Sequence, residues 1–273
     1  MKLIDWCVAI LILLCTGSTG YAQDYTFNKL PFPEGTDWGI VSGIVQDQLG
    51  NMWFGGDRLY KYDGKDFTSY PSTDIHSLCA AKDGMLWVGT STSLERLDPA
   101  TGNIKRFTRH PGDSASLPSD YINTIYQDKQ GTIWIGTGGG LSRYNAKEEN
   151  FTTFIHHPGD PESISDNTII TMFEDSHGDF WIGTGTVFIP QRTGGLNKMN
   201  RGTGKFIRYL HKDSDPTSLI DDRVSSILED SHGTFWVGTA GNGLHIMDRG
   251  KGTFQRLLYD SLRPGLLLSL IHI

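Results

Sequence analysis

Apolar residues in this chain fall in short runs, many of them alternating with polar neighbours, and none of these runs keeps a helical period. Four kinds of run recur in fixed order. The first carries apolar residues around a polar pair: Ile40 to Ile44, Ile75 to Leu78, Ile122 to Ile125, Ile169 to Met172 and Val224 to Ile227. The second is apolar at nearly every position around a tryptophan, as in Ile133-Trp134-Ile135, the pattern of a strand buried on both faces. The third opens with Leu59, Leu94, Leu141, Leu196 or Leu244, and the fourth is marked by Phe67, Phe107, Phe151, Phe206 or Phe254. Between the first and second runs, Asp47, Asp128, Asp175 and Asp230 each stand three residues before a glycine. An aspartate there accepts backbone N–H groups and the glycine supplies positive φ, which predicts a tight turn between antiparallel strands. In the second copy Ala81 takes the aspartate's place, and Asp83 lies beside Gly84.

The four runs form a repeating unit with the phrase G-x-x-W-x-G at its centre, and the tryptophans are spaced 34, 47, 47 and 55 residues apart. Four short strands at this period are the mark of a β-propeller blade. The sequence therefore predicts an all-β fold, a β-propeller with five four-stranded blades at about 39–70, 74–109, 121–155, 167–210 and 222–258 within a region 23–262. Trp53, Trp87, Trp134, Trp181 and Trp236 are expected in equivalent, buried core positions. Three similar connections, 110–120, 157–166 and 211–222, join the fourth strand of one blade to the first of the next, and His110, His157 and His211 read as one recurring loop position. Tyr25 to Phe27 reads as a lone strand ahead of the first complete unit.

Composition narrows the picture. The chain has 273 residues, 33 of them glycine, and 11% aromatic content, which is turn-rich and globular. Its net charge of −7, with no Lys/Arg run longer than two, argues against a nucleic-acid partner. Lys2, the apolar run Val8 to Cys15 and Gly20-Tyr21-Ala22 read as a signal peptide over residues 1–22, cleaved after Ala22. Lipidation at Cys15 is the rival reading, against which Leu14 is bulky for such a signal. Cleavage would leave Cys79 alone, expected as a buried apolar residue, so no disulfide, cofactor or metal site is expected. Residues 263–273 depart from the repeat and read as a non-native tail on a fragment.

The combination I-x-x-I, D-x-x-G-x-x-W-x-G-T, G-L-x-R-Y and D-P-x-S-L resembles the two-component regulator propeller repeat across residues 24–260. The resemblance implies that the five blades belong to a seven-bladed propeller. It further implies an extracytoplasmic, periplasmic sensor of glycan fragments. The parent would be dimeric and anchored in the inner membrane, and would signal through a downstream histidine kinase absent from these residues.

No nucleophile elbow, H-E-x-x-H or P-loop is present, so no catalytic set is expected. Asp175-Ser176-His177 and Asp230-Ser231-His232 are consecutive in tight turns, where three side chains rarely converge on one reacting atom. Three readings follow. The first is a sensor of a small-molecule or oligosaccharide ligand; the others are a lyase-type propeller enzyme and a scaffold for protein–protein contacts. For the sensor, the candidate binding residues lie in the longest connection between second and third strands, residues 184–195. Phe188 would stack on a sugar face, while Gln191 and Arg192 would bond hydroxyl or carboxylate groups.

Overall fold

The computed structural model describes residues 39–186, 193–240 and 243–257. The signal peptide, the Tyr25 to Phe27 strand and the 263–273 tail lie outside the described residues. Every described element is a strand, and the strands form five four-stranded antiparallel sheets, each ordered as its chain runs. The first holds β1 (Gly43–Gln46), β2 (Met52–Gly55), β3 (Arg58–Tyr62) and β4 (Phe67–Thr73). The second holds β5 (Ile75–Ala80), β6 (Leu86–Thr90), β7 (Leu94–Leu97) and β8 (Ile104–Phe107). The third is β9 (Ile122–Gln127), β10 (Ile133–Thr137), β11 (Gly140–Asn145) and β12 (Asn150–Phe154). The fourth is β13 (Ile169–Glu174), β14 (Phe180–Thr184), β15 (Gly195–Asn200) and β16 (Lys205–Tyr209). The fifth is β17 (Val224–Glu229), β18 (Phe235–Thr239), β19 (Gly243–Asp248) and β20 (Thr253–Leu257). The first strands β1, β5, β9, β13 and β17 contact one another in series, so they line the inner side of the arrangement.

The core is divided into four layers, one between each pair of consecutive sheets. Alternation in the tryptophan strand explains this. Trp134 faces the fourth sheet, 4.9 Å from the Phe180 ring, and its neighbours Ile133 and Ile135 join the layer shared with the second sheet. Aromatics three apart in the fourth strand continue the contact outward: Phe107 meets Phe151, Phe154 meets Phe206, and Tyr209 meets Phe254. Phe107 is thus in a different register from the one expected. It lies opposite Leu94, in the place of Phe154 and Tyr209, and Ile104 holds the position of Phe151 and Phe206. The strand has two such positions, and a single aromatic does not say which it fills.

Trp53, Trp87, Trp134 and Trp181 are 1% exposed or less, but Trp236 is only half-buried. Each tryptophan faces the sheet that follows, and among the described residues no sheet follows the fifth. Leu228, 55% exposed, marks the same bare face. At the other end β1 begins at Gly43, three residues into the expected strand, and Ile44 is 56% exposed where Ile125 is 7%.

The turn aspartate does more than cap its turn. In Asp128, Oδ1 accepts the Thr132 backbone N–H at 2.8 Å and Oδ2 accepts the Trp134 indole N–H at 2.9 Å. Asp47, Asp175 and Asp230 bond Trp53, Trp181 and Trp236 alike. With Ala81 in the second sheet, the buried Trp87 Nε1 has no partner. Arginines then staple sheet to sheet. Arg201 of the fourth sheet reaches Asp128 of the third at 3.0 Å and its own sheet's Glu174 at 2.7 Å, and Arg249 bonds Asp175 and Glu229 in the same way, both at 2.7 Å.

Candidate functional site

In a sheet ordered one to four with antiparallel neighbours, the second-to-third and fourth-to-first connections emerge at one end. That end carries the three long connections and the 184–195 loop. The Asp–Trp–Arg staples occupy the opposite end.

The long connections share one internal frame. Asp113, Asp160 and Asp215 donate their backbone N–H to the carbonyls of His110, His157 and Lys212, each at 3.0 Å. This frame corrects the expected histidine register: His211 is equivalent to His156 and Arg109, and Lys212 to His157 and His110. Two of the imidazoles, those of His156 and His211, serve the loops themselves. His156 and His211 each place Nδ1 2.7 Å from a carbonyl, that of Ile164 or Leu219. The Leu219 carbonyl, then Asp213, hold the His211 pKa above its ordinary value. Leu117, Ile164 and Leu219 are buried plugs beneath the loops. Asp222 closes its loop on the His211 N–H at 2.5 Å, and burial pushes its carboxyl pKa up.

Each connection runs along the outer strand of the sheet it enters. Phe151, Phe206 and Phe254 donate their N–H groups to Ala115, Glu162 and Thr217. In the fifth sheet an arginine of that strand locks the connection. Arg256 donates Nε to the Ser218 carbonyl at 2.9 Å, and Nη2 to the Asp215 carbonyl at 3.0 Å and Ser218 Oγ at 3.1 Å. Arg208 repeats these bonds on Ser163 and Asp160. In the third sheet the register gives Thr153 instead, paired with Ser142 as Arg208 is with Asn197. Beside it opens a cleft of about 530 Å³, lined among others by Arg109, His110, Asp113, Ser116 and Ile155. The sequence reading missed this place, although F-x-R, F-x-R and F-x-T in the three fourth strands carried the signal.

Phe188, Gln191 and Arg192 lie outside the described residues. The base of their loop is a close glycine pair. A Cβ on Gly185 would lie 2.3 Å from the Thr193 carbonyl oxygen, and one on Gly194 would lie 2.4 Å from that of Asp222. Gly185 also donates to the Thr168 carbonyl at 2.9 Å. Around this base the groups are polar: Ser165 Oγ and Thr184 Oγ1 are 2.8 Å apart, and Asp221 holds Arg223 through two bonds at 2.9 and 2.6 Å. Among the described residues no three His, Cys, Asp or Glu side chains converge as metal ligands. Burial pushes the Cys79 thiol pKa up to about 11, so it stays protonated and weakly nucleophilic at neutral pH.

Sheets stacked in series, with first strands innermost and the long connections on one end, define a β-propeller of up-and-down blades. Four stretches of the chain, residues 69–92, 116–139, 163–186 and 218–241, match the family model described as two component regulator propeller. Among solved structures, the chain is similar to extracellular domains described as belonging to hybrid two-component systems of Bacteroides thetaiotaomicron. One gives a TM-score of 0.64 at 21% identity over 79% of this chain and 29% of that one; another gives 0.58 at 22% identity over 85% and 35%. The chain therefore spans about a third of the length of these structures. Virginiamycin B lyase from Staphylococcus aureus is similar at a TM-score of 0.57 and 16% identity, over 83% of this chain and 72% of the lyase. No curated protein matches the chain.

Proposed function

We propose that the chain is ligand-sensing propeller of an extracytoplasmic two-component sensor, exported by its N-terminal signal, and that it signals through a kinase elsewhere in a dimeric, membrane-anchored parent. The carrying observation is the family's repeat itself, with its long connections and the 184–195 loop gathered at one end of a rigid stack. The ligand we favour is a glycan fragment. Phe188 would supply a stacking face, and Gln191 and Arg192 hydrogen bonds to hydroxyl or carboxylate groups. Likeness to the lyase is one of fold, and the His156 and His211 imidazoles are occupied in loop hydrogen bonds, which favours a sensor over an enzyme.

Calorimetric titration of the chain with a panel of neutral and acidic oligosaccharides tests the reading. Binding is expected, weakened about tenfold or more by Phe188→Ala or Arg192→Ala. Absence of saturable heat across the panel, or unchanged affinity in both variants, rejects the glycan site. Ligand-dependent autophosphorylation of the intact parent tests the signalling role separately.

A further inference from the structure

The cleft beside Thr153 is formed like the two arginine locks of the later sheets, with the arginine left out. In the fifth sheet the Arg256 guanidinium takes the Ser218 and Asp215 carbonyls, Ser218 Oγ and the Leu219 carbonyl, the last at 3.0 Å. The equivalent atoms in the third sheet are the Ser116 and Asp113 carbonyls, Ser116 Oγ and the Leu117 carbonyl. Their frame is the same: Ser116 N–H donates to the Asp113 carbonyl at 3.2 Å, as Ser218 N–H does to Asp215 at 3.1 Å. Ser116 Oγ lies 2.9 Å from the Asp113 carbonyl, where Ser218 Oγ lies 2.7 Å from that of Asp215. Thr153 is too short to fill the seat, and its hydroxyl is 2.9 Å from Ser142 Oγ. Among the described residues no hydrogen bond reaches the Ser116 carbonyl, whereas Ser163 and Ser218 each receive an arginine Nε there. The result is a set of acceptor oxygens already arranged for a planar, forked donor, opening into a cleft of ligand size.

We propose that this cleft binds the guanidinium group of an arginine-type ligand. Arg109 on the rim disfavours a bare cation and suits a ligand whose carboxylate lies a few bonds from its guanidinium. Asp113, its Oδ1 taken by the Ala115 N–H at 2.9 Å, adds negative charge on the guanidinium side. Free arginine and an arginine at a peptide C-terminus both offer this chemistry. The lining of the seat includes none of residues 184–195, and its test does not depend on the sensor reading.

The test is calorimetric titration of the full chain with L-arginine, an arginine-terminated tripeptide, agmatine (guanidinium without carboxylate) and butylamine (a point charge without the fork). L-Arginine or the tripeptide should bind, the tighter of the two identifying the source, with agmatine weaker and butylamine weakest. Thr153→Arg should supply the missing guanidinium from within, raise the melting temperature and weaken ligand binding about tenfold or more. Arg109→Ala should weaken L-arginine, which loses its carboxylate partner, and tighten agmatine, which loses a like charge. Arg208→Ala gives a second reading if Thr153→Arg misfolds. It should open a matching seat in the fourth sheet, and agmatine should partly restore the lost melting temperature. No saturable binding of either arginine ligand, or binding that Thr153→Arg leaves intact, overturns the proposal.

Discussion

At the residue scale the aspartate of the first turn holds both the turn and the tryptophan. One oxygen organises backbone N–H groups and the other takes a buried indole, so the pair links hairpin to core. The second sheet is a natural deletion of this bond. Ala81→Asp should give the Trp87 indole its acceptor, a bond worth about 1 kcal/mol net, with the full gain seen by urea denaturation only once a cation stands beside the new carboxylate. The same pairing has a pH signature. The Trp236 indole, helped by the Thr234 and His232 N–H groups, lowers the Asp230 pKa from 3.8 to about 2 despite some desolvation. A carboxylate lowered in the folded state stabilises fully above its unfolded pKa, near 4, and loses that contribution as pH falls toward 2. Asp230→Asn should therefore be less stable than the parent at pH 6, and the gap should close as pH drops from about 4 to about 2. A gap that stays constant to pH 2 would mean the charge on Asp230 contributes nothing.

At the scale of the element, two devices set how closely one sheet approaches the next. The first is the glycine after each tryptophan: a Cβ on Gly136 would stand 2.6 Å from Thr124 Cγ2 and 2.7 Å from Ile169 Cγ2. Gly136→Ala should cost about 1–3 kcal/mol by overpacking, whereas Gly138→Ala, with open space around it, should cost far less in the same denaturation experiment. The second is the arginine staple. Asp128 and Glu174 are buried, so Arg201→Ala leaves two carboxylates without their cation and should cost about 3–5 kcal/mol. Repeat alignment shows why the second and third sheets lack a staple: Ala146 stands where Arg201 does, facing Ala81 where Asp128 would be. Ala81→Asp with Ala146→Arg should then stabilise by more than the two single changes combined, by a coupling of about 0.5–3 kcal/mol. The sequence made the strands and the repeat plain, because alternation, turn aspartates and glycines are local signals. It left Phe107 and His211 in the wrong register, because an aromatic or a histidine a few residues along satisfies the same local pattern. The staples and the Thr153 cleft were hidden for a related reason. Arg201, Arg208 and Arg256 show their roles only once the connection and the neighbouring sheet are brought beside them.

At the scale of the whole molecule, stability is distributed as a series of sheet-to-sheet layers and not gathered in one core. The second, third and fourth sheets each contribute to two layers, and the first and fifth to one. A quasi-one-dimensional stack opens most readily where a unit has one neighbour, since less interface is lost. The side chains bear this asymmetry: Ile44 and Leu228 are bare, and Trp236 has lost part of the cover that Trp134 and Trp181 keep. Hydrogen exchange of the full chain, followed by mass spectrometry, should then show graded protection. Amides of β9, β10, β13 and β14 should exchange last, and those of β1, β2, β17 and β18 earlier, though all lie in regular ladders. Trp134→Ala should act on both sides of the layer it occupies. It should speed exchange in the third and fourth sheets together and leave β2 and β6 near their original rates, because Trp134 shares its layer with Phe180 and Ile182 and with no residue of the first or second sheet. Uniform acceleration across all five sheets would instead show that the layers melt as one cooperative unit.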